Sequence, residues 1–186
     1  MSEKAIPGFA WFIPLAPLAL AAIIYFGALQ SSSFLLINQF TQQLPDTLWA
    51  WLTFLGNDWG IFALAFPLLL LAPRILTAGI FAGAIAAVTS SVLKGIFNLP
   101  RPAGILTEGS FYHLGAVLLH RAFPSGHNLT AFAIASAFYF SASKEKRAPL
   151  LLLFVVAAFV WLSRNAVGAH WLTDVLGEQV LVFGAA

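Results

Sequence analysis

The sequence predicts an all-α integral membrane protein, a bundle of six transmembrane helices that forms one domain over residues 1–186. Hydrophobic residues make up 60% of the chain and charged residues only 9%, whereas soluble domains carry about 25% charged residues. Apolar stretches long enough to cross a bilayer recur along the chain. The sequence has no cysteine, which excludes disulfides and thiolate chemistry. The net charge of +2 comes without a basic stripe, so we expect no nucleic-acid partner.

The first half of the chain contains two predicted spans with an interfacial segment between them. The first span covers residues 9–29, and Pro14 and Pro17 favour a kink near its start. Residues from about 34 to 57 begin with apolar side chains mixed with asparagine and glutamine, a pattern typical of an amphipathic helix at the membrane surface. Tryptophans follow, and tryptophan is enriched at membrane–water boundaries. The second span is centred on residues 60–72.

The second half contains four predicted spans, at residues 75–97, 127–141, 149–162 and 171–186. Proline and glycine are frequent from about residue 98 to 124, which indicates an active-site loop, with a short helix expected near residues 114–119. The last span has 16 residues and would be about 24 Å long, against about 30 Å for the bilayer core. It also contains Glu178 and Gln179, so we expect unusual packing there.

Three polar stretches interrupt the apolar pattern of the second half. Residues 94–102 have the form K-x6-RP, residues 124–127 read PSGH, and residues 163–174 have the form SR-x5-H-x3-D. Charged side chains and histidines are costly beside a bilayer core, and they are therefore interpreted as functional by default.

The third stretch suggests a paired imidazole and carboxylate. His170 and Asp174 are four residues apart, so a helix beginning near His170 would place both side chains on one face. The carboxylate can then hold the Nδ1–H and leave Nε2 free as a nucleophile or base. The structural alternative is a histidine–aspartate pair at a helix end, beside Arg164 reaching to the membrane surface.

The same stretches contain groups suited to binding a phosphate. The cations are Lys94, Arg101 and Arg164. Arginine offers a planar fork that matches phosphate oxygens. Ser125 and Gly126 open the fourth span, where free backbone N–H groups favour an anion. Taken singly, each group also has a structural interpretation, because Lys94 and Arg101 could anchor the chain at the interface and Ser125 could cap a helix.

Together the three motifs resemble the type-2 phosphatidic acid phosphatase superfamily, which also contains bacterial acid phosphatases and vanadium haloperoxidases. The match covers residues 94–174 and holds at every defining position, in the family's order. The resemblance implies that His170 forms a phosphohistidine, that Asp174 orients it, and that His127 protonates the leaving group and then activates water. The implied phosphate-binding residues are Lys94, Arg101, Ser125, Gly126 and Arg164. The family requires no metal, and we expect no cofactor here.

The resemblance implies a membrane lipid phosphatase, whose partners are a lipid phosphate and the bilayer. Candidate substrates are phosphatidylglycerophosphate, phosphatidic acid and undecaprenyl pyrophosphate. A lipid phosphotransferase of the same fold is the first alternative, and a non-catalytic membrane binding protein and a haloperoxidase are more remote. His113, His120 and Arg121 either contact a second phosphate or head group or are solvated loop residues.

The order of the spans predicts which membrane side carries the motifs. With six spans, all three motifs fall at the same membrane surface, at the ends of spans three to six. The basic residues of the short loop 144–147 fall on the other side, which the positive-inside rule makes cytoplasmic. We therefore expect a bacterial cytoplasmic (inner) membrane protein whose active site lies at the extracytoplasmic surface, facing the periplasm.

Overall fold

A computed structural model describes residues 15–174 and 176–177, and within these residues every regular element is helical. The all-α prediction is therefore confirmed for the described part of the chain. The helices are α1 (Leu15–Phe26), α2 (Gln30–Thr41), α3 (Asp46–Leu55), α4 (Asp58–Ala65), α5 (Leu68–Leu71), α6 (Pro73–Phe97), α7 (Pro102–Ile105), α8 (Gly126–Ser141) and α9 (Arg147–Ala166). A short 3₁₀ turn, Lys144–Lys146, connects α8 to α9.

The centre of the fold is α8, which packs between α6 and α9. Two glycines of α6 allow the close approach of α8. A Cβ at Gly79 would collide with the Phe138 ring, and one at Gly83 would lie 3.2 Å from Ile134. Small residues serve this purpose widely in membrane bundles. Farther along the same interface, Ala86 packs on Leu129, so contact continues toward the start of α8.

Two helical stretches of the described residues, Pro73–Ile105 and Lys144–Ala166, are long and apolar enough to cross a bilayer. A third candidate exists if α1 and α2, which are bent by 112° at a short break, count as one span. The first span was expected to continue to residue 29, but α1 ends at Phe26 and Ala28 has a left-handed backbone with φ of 56°. The count of six spans stays a prediction, and the predicted span 171–186, with Glu178 and Gln179, lies mostly outside the described residues.

Two local predictions are wrong. Residues 60–72 do not form one helix, because the helix is interrupted between α4 and α5 at Pro67. Proline has no backbone N–H to continue the helical hydrogen bonds. Residues 114–119 do not form a short helix either, and Gly115 has a positive φ of 96°. The carbonyl of Leu119 accepts a hydrogen bond from the backbone N–H of Arg101 at 2.8 Å instead of closing a helical turn.

The segment expected at the membrane interface, 34–57, forms α2 and α3, and both pack on the end of α9. Phe34 and Trp49 are buried, and the Trp49 indole donates to the carbonyl of Thr41 at 2.8 Å. Trp49 also packs against Ala166 and Val167 at the end of α9. These contacts hold the end of α9 in place, next to the loop that connects α6 to α8.

Candidate active site

The site is built on a turn that follows α9. Gly168 has φ of 72°, and a Cβ at this position would lie 2.6 Å from the carbonyl oxygen of Tyr112, so both the backbone and the space require glycine. The backbone N–H groups of Ala169 and His170 donate to the carbonyl of Arg164 at 3.0 and 3.3 Å. The five residues between the arginine and the histidine of the motif thus fold back, and they bring His170 over the end of α9.

His170 and Asp174 meet as the spacing predicts, although the first helical residue is Leu172, two positions after His170. The Nδ1 of His170 lies 3.4 Å from Oδ2 of Asp174, and both side chains are buried. The same carboxylate oxygen accepts from the backbone N–H of Trp171 at 2.9 Å. This is the reciprocal half of a capping box, in which a side chain in the first helical turn bonds back to the cap residue. The helix start therefore fixes Asp174 beside His170.

The guanidinium of Arg101 is clamped by backbone carbonyls of two segments. Its Nε donates to His120 O at 2.9 Å, its Nη2 to Arg121 O at 3.3 Å, and its Nη1 to Ala169 O at 2.9 Å. The same Nη1 lies 3.2 Å from Nε2 of His170. Arginine only donates hydrogen bonds, so Nε2 must accept and the His170 proton must lie on Nδ1, toward Asp174.

Lys94 and the start of α8 face each other across the α6–α8 interface. A Cβ on Gly126 would lie 3.6 Å from Nζ of Lys94 and 3.3 Å from Oγ of Ser90, so glycine leaves this approach open. Ser125, the residue before α8, is completely buried. The first backbone N–H groups of a helix make no intrahelical hydrogen bonds, so this end of α8 and the nearby ammonium of Lys94 form a region that favours an anion.

Arg164 and His127 complete the group. Arg164 is buried, and its Nε has no hydrogen-bond partner among the described residues. His127 lies at the first turn of α8, where a Cβ on Gly56 of the α3–α4 connection would be 3.3 Å from its own Cβ. The positive charges of Arg164, Lys94 and Arg101 all act on His127.

The electrostatics of these groups favour a bound anion. Three cations converge here, and the carboxylate of Asp174 offsets only part of their charge. Burial, followed by the charges of Arg101, Arg164 and Lys94, lowers the pKa of His170 well below its ordinary value. The imidazole is therefore neutral, with a lone pair on Nε2. Buried cations without sufficient counter-charge are costly, and a phosphate would compensate them.

The structure brings all the predicted site residues to one end of the helix bundle: Lys94, Arg101, Ser125, Gly126, His127, Arg164, His170 and Asp174. A cavity of about 390 Å³ opens beside them, lined in part by Arg101, Arg164 and Ala169. Of the three loop residues with two open interpretations, His113 lines this cavity. His120 and Arg121 have exposed side chains, and their carbonyls hold Arg101.

Asn38 of α2 is a site residue that the sequence analysis did not identify. Its side chain is completely buried, and Nδ2 donates to the carbonyls of Tyr112, Asn165 and Ala166 at 3.1 to 3.2 Å. Its Oδ1 accepts from the backbone N–H of Tyr112 at 2.8 Å. Asn38 thereby ties the loop to the end of α9, next to Arg164. Its sequence signal is weak, because Asn38 is one of several amides in α2.

Comparison with known proteins gives consistent results. The family model described as the PAP2 superfamily matches residues 75–178. The crystal structure of Aquifex aeolicus LpxE is similar, with 29% sequence identity, a TM-score of 0.69, and coverage of 83% of this chain and 90% of that chain.

A second similar structure is the first transmembrane PAP2 type phosphatidylglycerolphosphate phosphatase from Bacillus subtilis. It has 22% identity, a TM-score of 0.66 and coverage of 94% of both chains, which shows a common fold. No curated protein matches the chain significantly. Because the family match spans more than half of the sequence and contains all three motifs, the chain belongs to the PAP2 superfamily.

Proposed function

We propose that the protein is a membrane lipid phosphatase that hydrolyses a lipid phosphomonoester or pyrophosphate through a phosphohistidine. The single observation that supports this most strongly is the position of His170. Its Nδ1 faces Asp174 at 3.4 Å, and its Nε2 faces a buried guanidinium at 3.2 Å. A neutral imidazole held in this tautomer beside an anion-binding group is the arrangement that nucleophilic attack on phosphorus requires.

The first step transfers the phosphoryl group to the enzyme. The substrate phosphate replaces His170 as an acceptor for Arg101, which frees the Nε2 lone pair. Nε2 then forms a bond to phosphorus while the bond to the leaving oxygen breaks, and His127 gives that oxygen a proton. The imidazole keeps its Nδ1–H and becomes positively charged, and the Asp174 carboxylate stabilises that charge.

The second step releases inorganic phosphate. His127, now neutral, takes a proton from water, and the water oxygen attacks phosphorus as the N–P bond breaks. The electron pair of that bond returns to Nε2, so His170 regains its starting state. Lys94, Arg164 and the N–H groups at Ser125 and Gly126 neutralise charge on the equatorial oxygens in both steps. No metal is needed, because these residues supply the required cations and proton donors.

We place this site at the extracytoplasmic surface of a bacterial inner membrane, in a single six-span domain. The support is the direction of α8, which begins at the site with Gly126 and runs 16 residues to Ser141. This length is about 24 Å, so the basic turn after it lies near the opposite end of the bundle. The positive-inside rule makes that end cytoplasmic.

The test is a substrate panel on detergent-solubilised protein with free phosphate as the readout. The panel contains phosphatidylglycerophosphate, phosphatidic acid, undecaprenyl pyrophosphate and a soluble phosphate ester, each with excess chelator. We expect release of phosphate from at least one lipid, and loss of that activity in His170→Ala but not in the exposed control His120→Gln. The proposal fails if no lipid phosphate is hydrolysed, or if chelator abolishes an activity that magnesium restores. When the substrate carries a labelled phosphoryl group, label recovered on a second lipid instead of in free phosphate would indicate a phosphotransferase.

A further inference from the structure

An exposed apolar segment, residues 115–119, lies in the loop between α7 and α8. Val117, Leu118 and Leu119 are 63%, 51% and 49% exposed, and the segment has no helical structure. Three consecutive large apolar side chains in the open are unusual for a water-facing loop, and such surfaces generally mark a contact with protein or membrane.

Both ends of segment 115–119 are fixed to the active site. Before it, the backbone N–H of Leu114 donates to the carbonyl of Val167 at 3.1 Å, directly after α9. At its other end, the carbonyls of residues 119, 120 and 121 accept hydrogen bonds from the backbone and guanidinium of Arg101. The conformation of the segment is therefore coupled to the position of Arg101.

The inner side of segment 115–119 faces the cavity of the active site. Gly115, Ala116 and Leu118 line the cavity of about 390 Å³ that also contains Arg101 and Arg164. Val117 is not part of this lining and is the most exposed of the three large side chains. The segment is thus a thin wall, with the cationic cavity on one side and an apolar surface on the other.

Segment 115–119 lies beside the apolar end of a stretch that is long enough to span a membrane, Pro73–Ile105. Ile96 and Leu99, at the end of the stretch Pro73–Ile105, are exposed and apolar. The carbonyl of Leu99 accepts from the N–H of Ala122 at 2.9 Å, so the end of this stretch is paired with the chain directly after the segment. Ile105, the last residue of the stretch Pro73–Ile105, adds a further exposed apolar side chain.

Two exposed polar residues, His120 and Arg121, follow the apolar segment directly. An apolar stretch flanked by a cation is the pattern of chain that enters a bilayer, because the apolar part reaches the acyl region and the cation stays at the phosphate level. A protein partner would not explain why the exposed apolar segment lies beside the end of the membrane-length stretch Pro73–Ile105.

We propose that segment 115–119 inserts into the acyl region of the lipid bilayer and forms the wall across which a lipid phosphate enters the cavity. The acyl chains of the lipid would contact the outer apolar surface, while the phosphate reaches Arg101 and Arg164. The insertion stands independently of the catalytic reaction, whereas the entry role rests on the proposed lipid phosphatase function.

Insertion can be measured directly, because the chain has no native cysteine. A spin label on Val117→Cys, in protein reconstituted into vesicles of phosphatidylethanolamine and phosphatidylglycerol, should be more accessible to oxygen than to a water-soluble nickel chelate. The matched control is Glu108→Cys, an exposed polar position in the same loop, which should show the opposite preference. Val117→Cys with the nickel accessibility of the control would overturn the proposal. So would low accessibility to both reagents, which would indicate a covering protein surface.

The entry role is tested with Val117→Ser. Two values of kcat/KM are measured, one for a long-chain lipid phosphate in vesicles and one for a water-soluble phosphate ester. Because the substitution removes apolar contact, the ratio of the first value to the second should fall by about tenfold. The control Leu70→Ser changes an exposed apolar residue of α5, and it should leave the ratio unchanged. An unchanged ratio in Val117→Ser would refute the entry role. If the wild-type protein hydrolyses neither substrate, the proposed function fails, while the spin-label result still decides insertion.

Discussion

Nη1 of Arg101 lies 3.2 Å from Nε2 of His170, the nitrogen that we propose attacks phosphorus. The contact fixes the tautomer of the histidine, because a guanidinium only donates and Nε2 must accept. It also occupies the lone pair before substrate arrives. A phosphate oxygen is a stronger acceptor for a guanidinium than a neutral imidazole, so binding of the substrate would free the nucleophile at the moment it is needed.

The first prediction concerns this clamp. Arg101→Lys keeps the positive charge but cannot hold the carbonyls of residues 120, 121 and 169 in one plane. We expect kcat/KM to fall by about a hundredfold, since several charge-assisted hydrogen bonds are lost together. Steady-state hydrolysis measures the loss, and Arg74→Lys, at the exposed start of α6, is the control. Equal activity in both variants would show that the fork geometry of Arg101 is unimportant.

The second prediction uses two glycines that share a left-handed backbone. Gly168 has φ of 72° and Gly109 has φ of 80°, but a Cβ meets nothing within 4 Å at Gly109 and lies 2.6 Å from the carbonyl of Tyr112 at Gly168. Gly109→Ala should therefore lose only about 1 kcal/mol of stability, the cost of the backbone conformation alone.

Gly168→Ala adds a collision to that cost and displaces the turn that carries His170. We expect a clearly larger decrease in melting temperature than in Gly109→Ala, together with a decrease in kcat. Thermal unfolding in detergent and hydrolysis rates measure the two effects. If both variants melt at the same temperature and retain the same kcat, the crowding at Gly168 has no consequence.

The third prediction concerns Asn38. Asn38→Asp has nearly the same shape but replaces a donor that bonds three carbonyls with a carboxylate, in a site without solvent. We expect a loss of at least about 3 kcal/mol in the free energy of unfolding, because the carboxylate oxygen that replaces Nδ2 would face three carbonyl oxygens and no hydrogen-bond donor. Denaturant or thermal unfolding measures it. Gln39→Glu makes the same chemical change at an exposed neighbouring position and should unfold like the wild type.

The fourth prediction concerns sidedness. A cysteine at Glu108, in the loop near the site, should react with an impermeant thiol reagent added outside intact cells. A cysteine at Ser143, beside the basic turn between α8 and α9, should react only after lysis. Because the chain contains no other cysteine, each signal comes from one position. The reverse labelling pattern would place the site in the cytoplasm and change the expected substrates to lipids of the inner leaflet.

The sequence predicted the fold where apolar length and breaker residues act together. The span expected at residues 75–97 lies within α6, Pro73–Phe97, because that stretch is apolar, has no internal proline and ends at Asn98, which has a left-handed backbone. Residues 60–72 are equally apolar, but Pro67 interrupts the helix there, so apolar length alone predicts one helix where two are present.

Contacts that depend on distant segments could not be predicted from local pattern. The pairing of His170 with Asp174 could be predicted from spacing alone, because the two residues are four positions apart in the sequence. Asn38 bonds the carbonyl of Asn165, 127 residues away, and no local signal distinguishes it from the other amides of α2. Likewise, the apolar residues 114–119 suggested a helix, whereas the carbonyl of Leu119 is bound by Arg101 from another part of the chain.

The central claim is that His170 carries the phosphoryl group during turnover. Its most direct test is rapid mixing with a lipid phosphate labelled in the phosphoryl group, followed by an alkaline quench that preserves phosphohistidine and by mass spectrometry of the peptides. The account predicts a phosphoryl group on His170 and none in His170→Ala. With a lipid pyrophosphate, whose leaving group departs without help from an acid, it predicts more phosphohistidine in His127→Ala, where water is no longer activated. Hydrolysis that continues at more than a few per cent of the wild-type rate in His170→Ala, without label on the protein, would contradict it.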